Sequence, residues 1–287
     1  MPVIEARNVW FSYTRGEPVL QGIDFRAGPG EVVALAGPTG CGKSTFLLLL
    51  AGLLHPDQGE VLLDGRPLLK QMPAARKRIG ILFQNPDDQL FNPTVYDEIA
   101  YALRSLGIPE HEVRKRVQET AEQLGLQELL DRPPYKLSVG QRRLVALASI
   151  LVYDPDVLLL DEPTANLDRH GVEVVTRMVT RAARQGKTVI MASHDLDAII
   201  ELSTTTCILQ EGRLHCAATL EALRTGFFTK TPLPIPLGLR LLLNMLGGWD
   251  KLADVIRDVS KEFHARLGAD KKKGIDQMQS HLDSTSM

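Results

Sequence analysis

Nine consecutive residues, Gly37–Thr45, have a spacing that suits phosphate chemistry. The segment reads Gly-Pro-Thr-Gly-Cys-Gly-Lys-Ser-Thr, in which glycine is followed by four residues and then by Gly-Lys-Ser. Glycines let a backbone turn tightly and bring its N–H groups close to phosphate oxygens. A lysine at this spacing places its charge on the β and γ phosphates, and the next hydroxyl can ligate Mg²⁺. The pattern therefore predicts a nucleoside triphosphate site in which Lys43 contacts phosphate and Ser44 contacts the metal ion.

The residues on both sides of this loop support the same interpretation. Glu31–Ala36 contains an apolar run typical of a short buried strand, and Phe46–Leu54 has the composition of a helix. A strand, a glycine-rich turn and a helix N-terminus together form an anion site, because the helix dipole adds to the free amide groups. The alternative is a glycine turn that carries Lys-Ser by chance, and the flanking pattern argues against it.

Two acids and a histidine follow other apolar runs, which are typical of buried parallel strands. Val157–Leu160 leads to Asp161 and Glu162, and Lys187–Ser193 leads to His194. Hydrolysis of ATP needs one carboxylate that holds Mg²⁺, usually through water, and another that polarises the attacking water. We therefore predict Asp161 at the metal, Glu162 as the general base and His194 near the γ-phosphate. Taken singly, an exposed acid pair and a structural histidine are the ordinary alternatives.

Tyr13 ends a loosely alternating run, Val3–Tyr13, that predicts a strand. As an aromatic residue of a strand, it would pack its ring on a core. The alternative is a ring that stacks on the adenine base of the nucleotide. Both interpretations are open from the residues alone.

The order of the predicted elements indicates an α/β protein. Strands at Val3–Tyr13 and Leu20–Phe25 precede the phosphate loop, and further apolar strands follow it. Between these, Val95–Leu151 is mainly helical, and Ser138 and Gln141 have the spacing of a capping box. We predict a phosphate-loop, RecA-like parallel-sheet core with an antiparallel β subdomain, a helical subdomain at about residues 92–152 and a small C-terminal helical extension.

Composition is ordinary for a soluble globular protein, with 44% hydrophobic and 24% charged residues among 287. The net charge of −2 gives no sequence-independent attraction to nucleic acid. The first residues are too polar for a secretory signal, and no apolar run approaches the ~20 residues of a membrane helix. The three cysteines, Cys41, Cys207 and Cys216, are far apart and lack metal-ligand spacing, so a reducing cytosolic compartment is the simplest prediction.

The C-terminal part differs in character from the rest. Pro232–Pro236 predicts a stiff connector, and an apolar stripe predicts a helix over Asp250–Leu267 with Asp250 as its cap. The polar composition of Ala269–Met287 predicts a disordered tail. The predicted segments are therefore a nucleotide-binding domain at 1–219, an extension at 220–268 and a tail at 269–287.

Several motifs occur in one order over about 180 residues. They are Tyr13, the phosphate loop, Gln84 after a strand, Leu137-Ser-Val-Gly-Gln141, Leu158-Leu-Leu-Asp-Glu-Pro-Thr164, Asn166-Leu-Asp168 and Ser193-His194. Together they resemble the nucleotide-binding subunit of an ATP-binding-cassette transporter, over roughly Val3–Thr219. The resemblance implies an ATPase that uses ATP and Mg²⁺ and whose hydrolysis is coupled to transport.

The resemblance also implies a role for each matched position. The nucleotide is bound by Tyr13, Gly37, Pro38, Thr39, Gly40, Cys41, Gly42, Lys43, Ser44, Thr45, Gln84, Ser138, Gly140, Gln141, Asp168 and His194. The metal ligands are Ser44, Gln84 and Asp161, and the catalytic residues are Glu162, His194, Lys43 and Gln84. Val139 departs from the family signature Leu-Ser-Gly-Gly-Gln. Its backbone N–H is retained, but its β-branched side chain needs room beside the phosphate.

In the family that the chain resembles, ATP lies between the phosphate loop of one subunit and the signature of another. The chain has one copy of each, so the resemblance implies a two-fold dimer with two sandwiched nucleotides. The partner ATPase is either an identical chain or a paralogue. Hydrolysis removes the γ-phosphate contact and lets the two halves part, which is the power stroke.

Asn85–Phe91, directly after Gln84, resembles the energy-coupling-factor branch of this family, the importers of vitamins and transition-metal ions. The resemblance implies a peripheral position on the cytoplasmic face of the cell membrane, with membrane-embedded scaffold and substrate-binding subunits as partners. Asp87 and Asp88 either meet basic residues of scaffold helices or stay solvated loop acids. Overall similarity favours cobalt or nickel as the transported ion, and a vitamin importer is the alternative.

Two other classes of ATPase share part of this pattern. A soluble mechanochemical ATPase on DNA carries long coiled coils between phosphate loop and signature, whereas about 95 residues separate Lys43 from Leu137. The near-neutral charge also argues against that class. A translation-type factor needs two cassettes in one chain. The helix over Asp250–Leu267 is predicted to be either a dimer contact or a regulatory addition.

Overall fold

The computed structural model describes residues 3–225, 243, 245–246 and 248–258. The strands of residues 3–225 are β1 Ile4–Thr14, β2 Glu17–Ala27, β3 Val32–Ala36, β4 Gln58–Leu63, β5 Arg66–Pro67, β6 Ile79–Leu82, β7 Val157–Asp161, β8 Thr188–Ala192, β9 Thr205–Gln210 and β10 Arg213–Ala218. The α-helices there are α1 Lys43–Leu50, α2 Val95–Ser105, α3 Glu110–Leu124, α4 Val139–Leu151, α5 Arg169–Arg184, α6 Leu196–Leu202 and α7 Thr219–Arg224. Residues 249–258 are also helical.

Two sheets organise these elements. The first is antiparallel, with the order β2-β1-β4-β5. The second has the order β10-β9-β3-β8-β7-β6, in which only the edge strand β10 runs antiparallel to its neighbour. Strands β3, β7 and β8 are buried at every position, as expected for parallel strands covered on both faces. The predicted fold class, α/β with an antiparallel subdomain and a helical subdomain, is confirmed.

The register of the parallel strands brings four strand ends to one edge of the sheet. Leu82 pairs with Leu160, and Asp161 pairs with Ala192, which in turn pairs with Leu35. Residues that follow parallel strands meet at the same edge. The register therefore gathers the phosphate loop after β3, Gln84 after β6, Glu162 after β7 and His194 after β8.

Helix α1 belongs to the hydrophobic core, and this fixes the loop that leads into it. Phe46 of α1 is fully buried, and its ring meets the ring of Phe25 in β2 edge to face, with the centroids 5.4 Å apart. Leu47, Leu49 and Leu50 are buried in the same core cluster, which includes residues of both sheets. Because α1 is packed along most of its length, the phosphate loop has a rigid support on its C-terminal side.

Helices α2 and α4 pack on each other, and α3 packs on both of them. Helix α4 starts with the predicted capping box, which is confirmed. The Ser138 hydroxyl accepts a hydrogen bond from the Gln141 N–H at 3.2 Å, and the Gln141 side chain accepts one from the Ser138 N–H at 3.0 Å. Buried Glu98 of α2 accepts hydrogen bonds from the N–H groups of Phe91 and Asn92 at 2.9 and 2.7 Å. These bonds hold the segment that follows Gln84 against the helices.

Cys207 and Cys216 form a disulfide between β9 and β10. The prediction of reduced cysteines is wrong for this pair, and the reducing cytosolic compartment inferred from their spacing loses its basis. The sequence separation misled because the Glu211–Gly212 turn folds the chain back, and the register then sets Cys207 directly opposite Cys216. Cys41 carries a free thiol.

The chain divides into two compact units after Thr219. In the second unit, Leu252 and Ala253 are buried residues of the helix 249–258. Asp250 lies in the first turn of that helix and not at its cap, because the helix begins one residue earlier. The predicted connector Pro232–Pro236, the predicted helix beyond residue 258 and the predicted tail Ala269–Met287 lie outside the described residues.

Helices long and apolar enough to cross a bilayer are not found in residues 3–225, 243, 245–246 and 248–258.

Candidate active site

The phosphate loop joins β3 to α1, and its glycines stand where the backbone requires them. Gly37, Gly40 and Gly42 have φ angles of 152°, 79° and 106°, which L side chains rarely adopt. A Cβ atom on Gly37 would lie 2.4 Å from the carbonyl oxygen of Leu209, so this position admits no side chain. Gly42 caps α1 without a side-chain hydrogen bond. The first N–H groups of α1 therefore face the loop, which is the geometry of an anion site.

The Lys43 ammonium group lies within the loop. Its Nζ donates to the carbonyl oxygens of Gly37 and Pro38 at 2.8 and 3.0 Å, and the Cys41 Sγ lies 4.0 Å away. A cation held beside backbone amides can contact phosphate oxygens directly. Burial raises the pKa of the Cys41 thiol, and the Lys43 charge opposes this shift only in part, so the thiol is protonated near neutral pH.

Ser44 and Asp161 lie close together at the edge where β7 ends. Burial raises the pKa of Asp161, while the Ser44 hydroxyl beside it lowers it. Both residues line a cleft of about 350 Å³ that also includes Gln84. Carboxylate, hydroxyl and amide oxygens are the ligands that Mg²⁺ prefers, so this set of oxygens fits the metal ion that accompanies ATP.

Glu162 and His194 form a close pair at the same edge. Glu162 Oε1 lies 2.7 Å from His194 Nδ1. Glu162 is 8% exposed and has a φ of +50°, a left-handed conformation that residues other than glycine adopt rarely. Its N–H donates to the Ala192 carbonyl at 2.9 Å, which holds this turn in place. A carboxylate fixed in this way, with an imidazole to orient it, can take a proton from a water molecule at the sheet edge.

Tyr13 lies at the mouth of the phosphate loop. Its side chain is 63% exposed, and its Oη is 3.2 Å from the Thr45 Oγ1. The ring meets the ring of Phe11 edge to face, with the centroids 4.9 Å apart. The core-packing interpretation of Tyr13 is wrong, because a core ring would be buried. Most of the ring is free to stack on a planar ligand.

The signature residues stand at the start of helix α4. Val139 is the first helical residue of α4, and its side chain is 42% exposed. Gly140 needs to be small, because a Cβ atom there would lie 2.9 Å from the carbonyl oxygen of Asn166. Asp168 caps α5 by accepting a hydrogen bond from the Gly171 N–H at 2.7 Å. Within residues 3–225, no hydrogen bond or ion pair joins Ser138–Gln141 to the phosphate loop. The two halves of the predicted ATP site therefore share no such bond within residues 3–225.

Asp87 meets a basic residue of its own chain. Its Oδ1 lies 2.8 Å from the Nε of Arg142 in α4. Asp88 accepts a hydrogen bond from the Asn85 side chain at 3.3 Å. The alternatives drawn from the sequence, a partner contact or full solvation, therefore omitted an internal ion pair for Asp87.

Arg143 is the site residue that sequence reasoning missed. It is 2% exposed, and its guanidinium donates to the carbonyl oxygens of Gln84 at 2.7 Å and Glu162 at 2.9 Å. A signal for it exists in the sequence. Arg143 shares a face of α4 with Ala146 and Leu147, which are apolar and buried. A charge on an apolar helix face predicts buried polar partners.

Comparison with known proteins identifies the family. Residues 20–165 match the family model described as ABC transporter. The chain is 40% identical over 217 residues to an energy-coupling factor transporter ATP-binding protein, EcfA, of Methanocaldococcus jannaschii. That alignment covers 75% of this chain and 78% of the relative.

Two solved structures share the fold. One is cbiO1 from Clostridium perfringens, part of the ABC transporter complex cbiONQ, with a TM-score of 0.71, 34% identity, and coverage of 84% of this chain and 98% of that one. The other is a dimeric ATP-binding cassette in a post-hydrolysis state bound to ADP and Pi, with a TM-score of 0.70, 26% identity, and coverage of 75% and 98%. The chain therefore belongs to the ABC transporter family, and it is an ATPase of the energy-coupling-factor type.

Proposed function

We propose that this ATPase powers an importer from the cytoplasmic face of the cell membrane, using ATP bound between two cassette subunits. The main support is that, within residues 3–225, no hydrogen bond or ion pair joins the signature to the phosphate loop of the same chain. Lys43, Asp161, Glu162 and His194 gather at one sheet edge, whereas the signature begins α4. In this proposal residues 1–219 form the cassette domain, and residues 220–268 form an appended extension.

Each residue of the sheet edge has a role in the proposed hydrolysis. The loop amides and Lys43 bind the β and γ phosphates. Ser44, Asp161 and Gln84 are the residues that would hold Mg²⁺, which neutralises charge on the phosphoryl oxygens when it is bound. Glu162 orients the attacking water and accepts its proton, and the γ-phosphate takes the water oxygen as the bond to ADP breaks. His194 holds the Glu162 carboxylate at 2.7 Å and contacts the γ-phosphate from the same edge.

A second subunit of the same fold, identical or paralogous, completes the site. Its Ser138, Gly140 and Gln141 contact the γ-phosphate through the first N–H groups of its α4, where the helix dipole favours an anion. Asp168 caps α5 in the segment that touches Gly140, which is where the two subunits meet. The dimeric cassette bound to ADP and Pi supports this arrangement by similarity. Hydrolysis weakens the shared contact and lets the subunits separate.

The proposed solute is a cobalt or nickel ion, and a vitamin is the alternative. The support for the ion is the overall similarity of the sequence to the energy-coupling-factor branch, and no single residue carries it. The test is purification of the chain with its membrane subunits, followed by metal analysis and mass spectrometry of the retained solute. A retained cobalt or nickel ion supports the proposed identity of the solute. A retained vitamin contradicts that identity without affecting the ATPase role. Solute uptake that continues undiminished with the Glu162→Gln chain would contradict the energising role itself.

Phe91 and Tyr101 form the proposed docking surface for the membrane scaffold, together with Asp88. The two rings are 67% and 50% exposed and meet edge to face, with the centroids 4.9 Å apart. Paired exposed aromatic rings favour a protein contact, because they are apolar surface left open to water. Asp88 adds a charge that can attract a basic residue of the scaffold.

Replacement of both rings, Phe91→Ala with Tyr101→Ala, is expected to separate hydrolysis from transport. Hydrolysis by the isolated chain should stay within about twofold of the wild type, since neither ring touches the phosphate loop or the acids. Co-purification with the scaffold and solute uptake should both be lost. Leu69→Ala, which removes another exposed apolar side chain, is the matched control. A double variant that assembles and transports normally would contradict this docking surface.

Tyr13→Ala is expected to weaken ATP binding by about 1–3 kcal/mol, the usual loss when an aromatic side chain under a base is removed. Calorimetry should then show roughly a 5- to 150-fold rise in Kd. Tyr13→Phe removes the contact with Thr45 but keeps the ring, so its Kd should stay near the wild-type value. Inorganic triphosphate has no base, and its affinity should not change in either variant. An equal loss in Tyr13→Phe would assign the effect to the hydroxyl group and contradict stacking.

A further inference from the structure

One buried guanidinium lies where three parts of the active site meet. Arg143, in the second turn of α4, is 2% exposed. Its Nη2 donates to the Gln84 carbonyl at 2.7 Å. Its Nη1 donates to the Glu162 carbonyl at 2.9 Å and reaches the Asp161 carbonyl at 3.5 Å. The signature helix, the loop after β6 and the end of β7 are therefore joined by a single side chain.

This arrangement is costly for a residue that serves packing alone. The partners of Arg143 are neutral backbone carbonyls, and its Nε is buried without a hydrogen-bond partner in the part of the chain that the structure describes. Burial lowers the pKa of the guanidinium, and the charges of Glu162 and Asp161 oppose that shift. A buried charge of this kind generally stabilises a fold less than an apolar side chain of similar volume. The geometry therefore suggests a task beyond stability.

The contacts of Arg143 differ from the other links between α4 and the loop after β6. Gln89 donates to the Ala146 carbonyl at 2.9 Å, and Arg142 pairs with Asp87 at 2.8 Å. Those two contacts join the loop after β6 to α4 only. Arg143 alone among these three also reaches the end of β7, where Glu162 has its left-handed backbone. A residue in such a conformation keeps it only when its surroundings hold it.

We propose that Arg143 is a positioning residue that sets Gln84 and Glu162 against each other for hydrolysis. The planar guanidinium holds two carbonyl groups at once in a fixed fork, which a point charge cannot do. Arg143 acts through these two backbones and touches neither the nucleotide nor the attacking water. Helix α4 starts with the signature. The two hydrogen bonds of Arg143 therefore couple the position of this helix to the position of the Glu162 carboxylate. The proposal rests on the proposed roles of Gln84 and Glu162.

The test compares Arg143→Met and Arg143→Lys in the full-length chain, with steady-state hydrolysis and calorimetric ATP binding. In Arg143→Met, kcat is expected to fall roughly 10- to 100-fold, a geometric effect of the size that small misplacements produce. The KM for ATP should stay within about threefold, because the phosphate loop is unchanged. Arg143→Lys keeps the charge but not the fork, so it should recover less than about a third of wild-type kcat.

Arg78→Met is the matched control for loss of stability. Arg78 pairs with Asp64 and Asp156 away from the sheet edge, so its loss should leave kcat per folded molecule unchanged. Arg143→Met with kcat within twofold of the wild type, or full recovery by Arg143→Lys, would overturn the proposal. Should Arg143→Met fail to fold, Arg143→Gln and Arg143→Lys are judged by the same kcat criterion.

Glu162→Gln, measured in the same assays, distinguishes a failure of the Arg143 proposal from a failure of the proposed catalytic role of Glu162. Normal hydrolysis by Glu162→Gln would remove the proposed catalytic carboxylate and the basis for positioning it. An inactive Glu162→Gln beside fully active Arg143 variants would overturn the role of Arg143 alone.

Discussion

Glu162→Gln is expected to lower kcat for ATP hydrolysis by roughly 10²–10⁴-fold, which is the usual contribution of a general base. The amide has the same shape as the carboxylate and can still bond to His194, but it cannot take a proton from water. The phosphate loop and the Tyr13 ring are untouched, so ATP binding should stay near the wild-type level. Phosphate release and calorimetry with ATP and Mg²⁺ measure the two quantities.

Glu119→Gln is the matched control, because it removes one exposed carboxylate of α3 away from the sheet edge. Its kcat should equal that of the wild type. A Glu162→Gln chain that hydrolyses ATP within a few fold of the wild type would show that another group activates the water.

Lys43→Ala is expected to lower kcat by roughly 10²–10³-fold, the loss measured when one donor to a developing oxyanion is removed. It should also weaken ATP binding, since the cation inside the loop contacts phosphate in the bound ground state. The bonds that Nζ donates to the Gly37 and Pro38 carbonyls are local to the loop, so the fold should survive. Thermal unfolding, ATP calorimetry and phosphate release together distinguish this loss from misfolding.

Lys70→Ala removes an exposed lysine and serves as the control for charge alone. Near-normal turnover and ATP affinity in Lys43→Ala would contradict the proposed contact between Lys43 and the phosphates. The assignment of the phosphate loop as the ATP site would then lose its main support.

Much of the sheet edge could be predicted because its signals are local. The spacing of Gly37, Gly42 and Lys43 predicts a backbone with positive φ angles, which residues other than glycine rarely adopt. Apolar runs that end in Glu162 or His194 report buried parallel strands, and such strands all end at one edge. A chain-order pattern was therefore enough to place these residues together in space.

Other features depend on contacts that no local pattern records. The pairing of Cys207 with Cys216 follows from the register of a hairpin, which sequence separation does not reveal. The ion pair between Asp87 and Arg142 needs two segments of different subdomains to meet. The position of Arg143 on an apolar face of α4 is visible in the sequence, but its partners are not, since backbone carbonyls carry no sequence signature.

The central claim is that ATP is bound between two cassette subunits, and sedimentation of Glu162→Gln with saturating ATP and Mg²⁺ tests it most directly. The experiment uses the chain alone and together with the ATP-binding subunit that co-purifies with it. A pair that holds two nucleotides should form in at least one preparation. A chain that binds ATP yet stays monomeric in both preparations would contradict the claim that ATP is bound between two subunits.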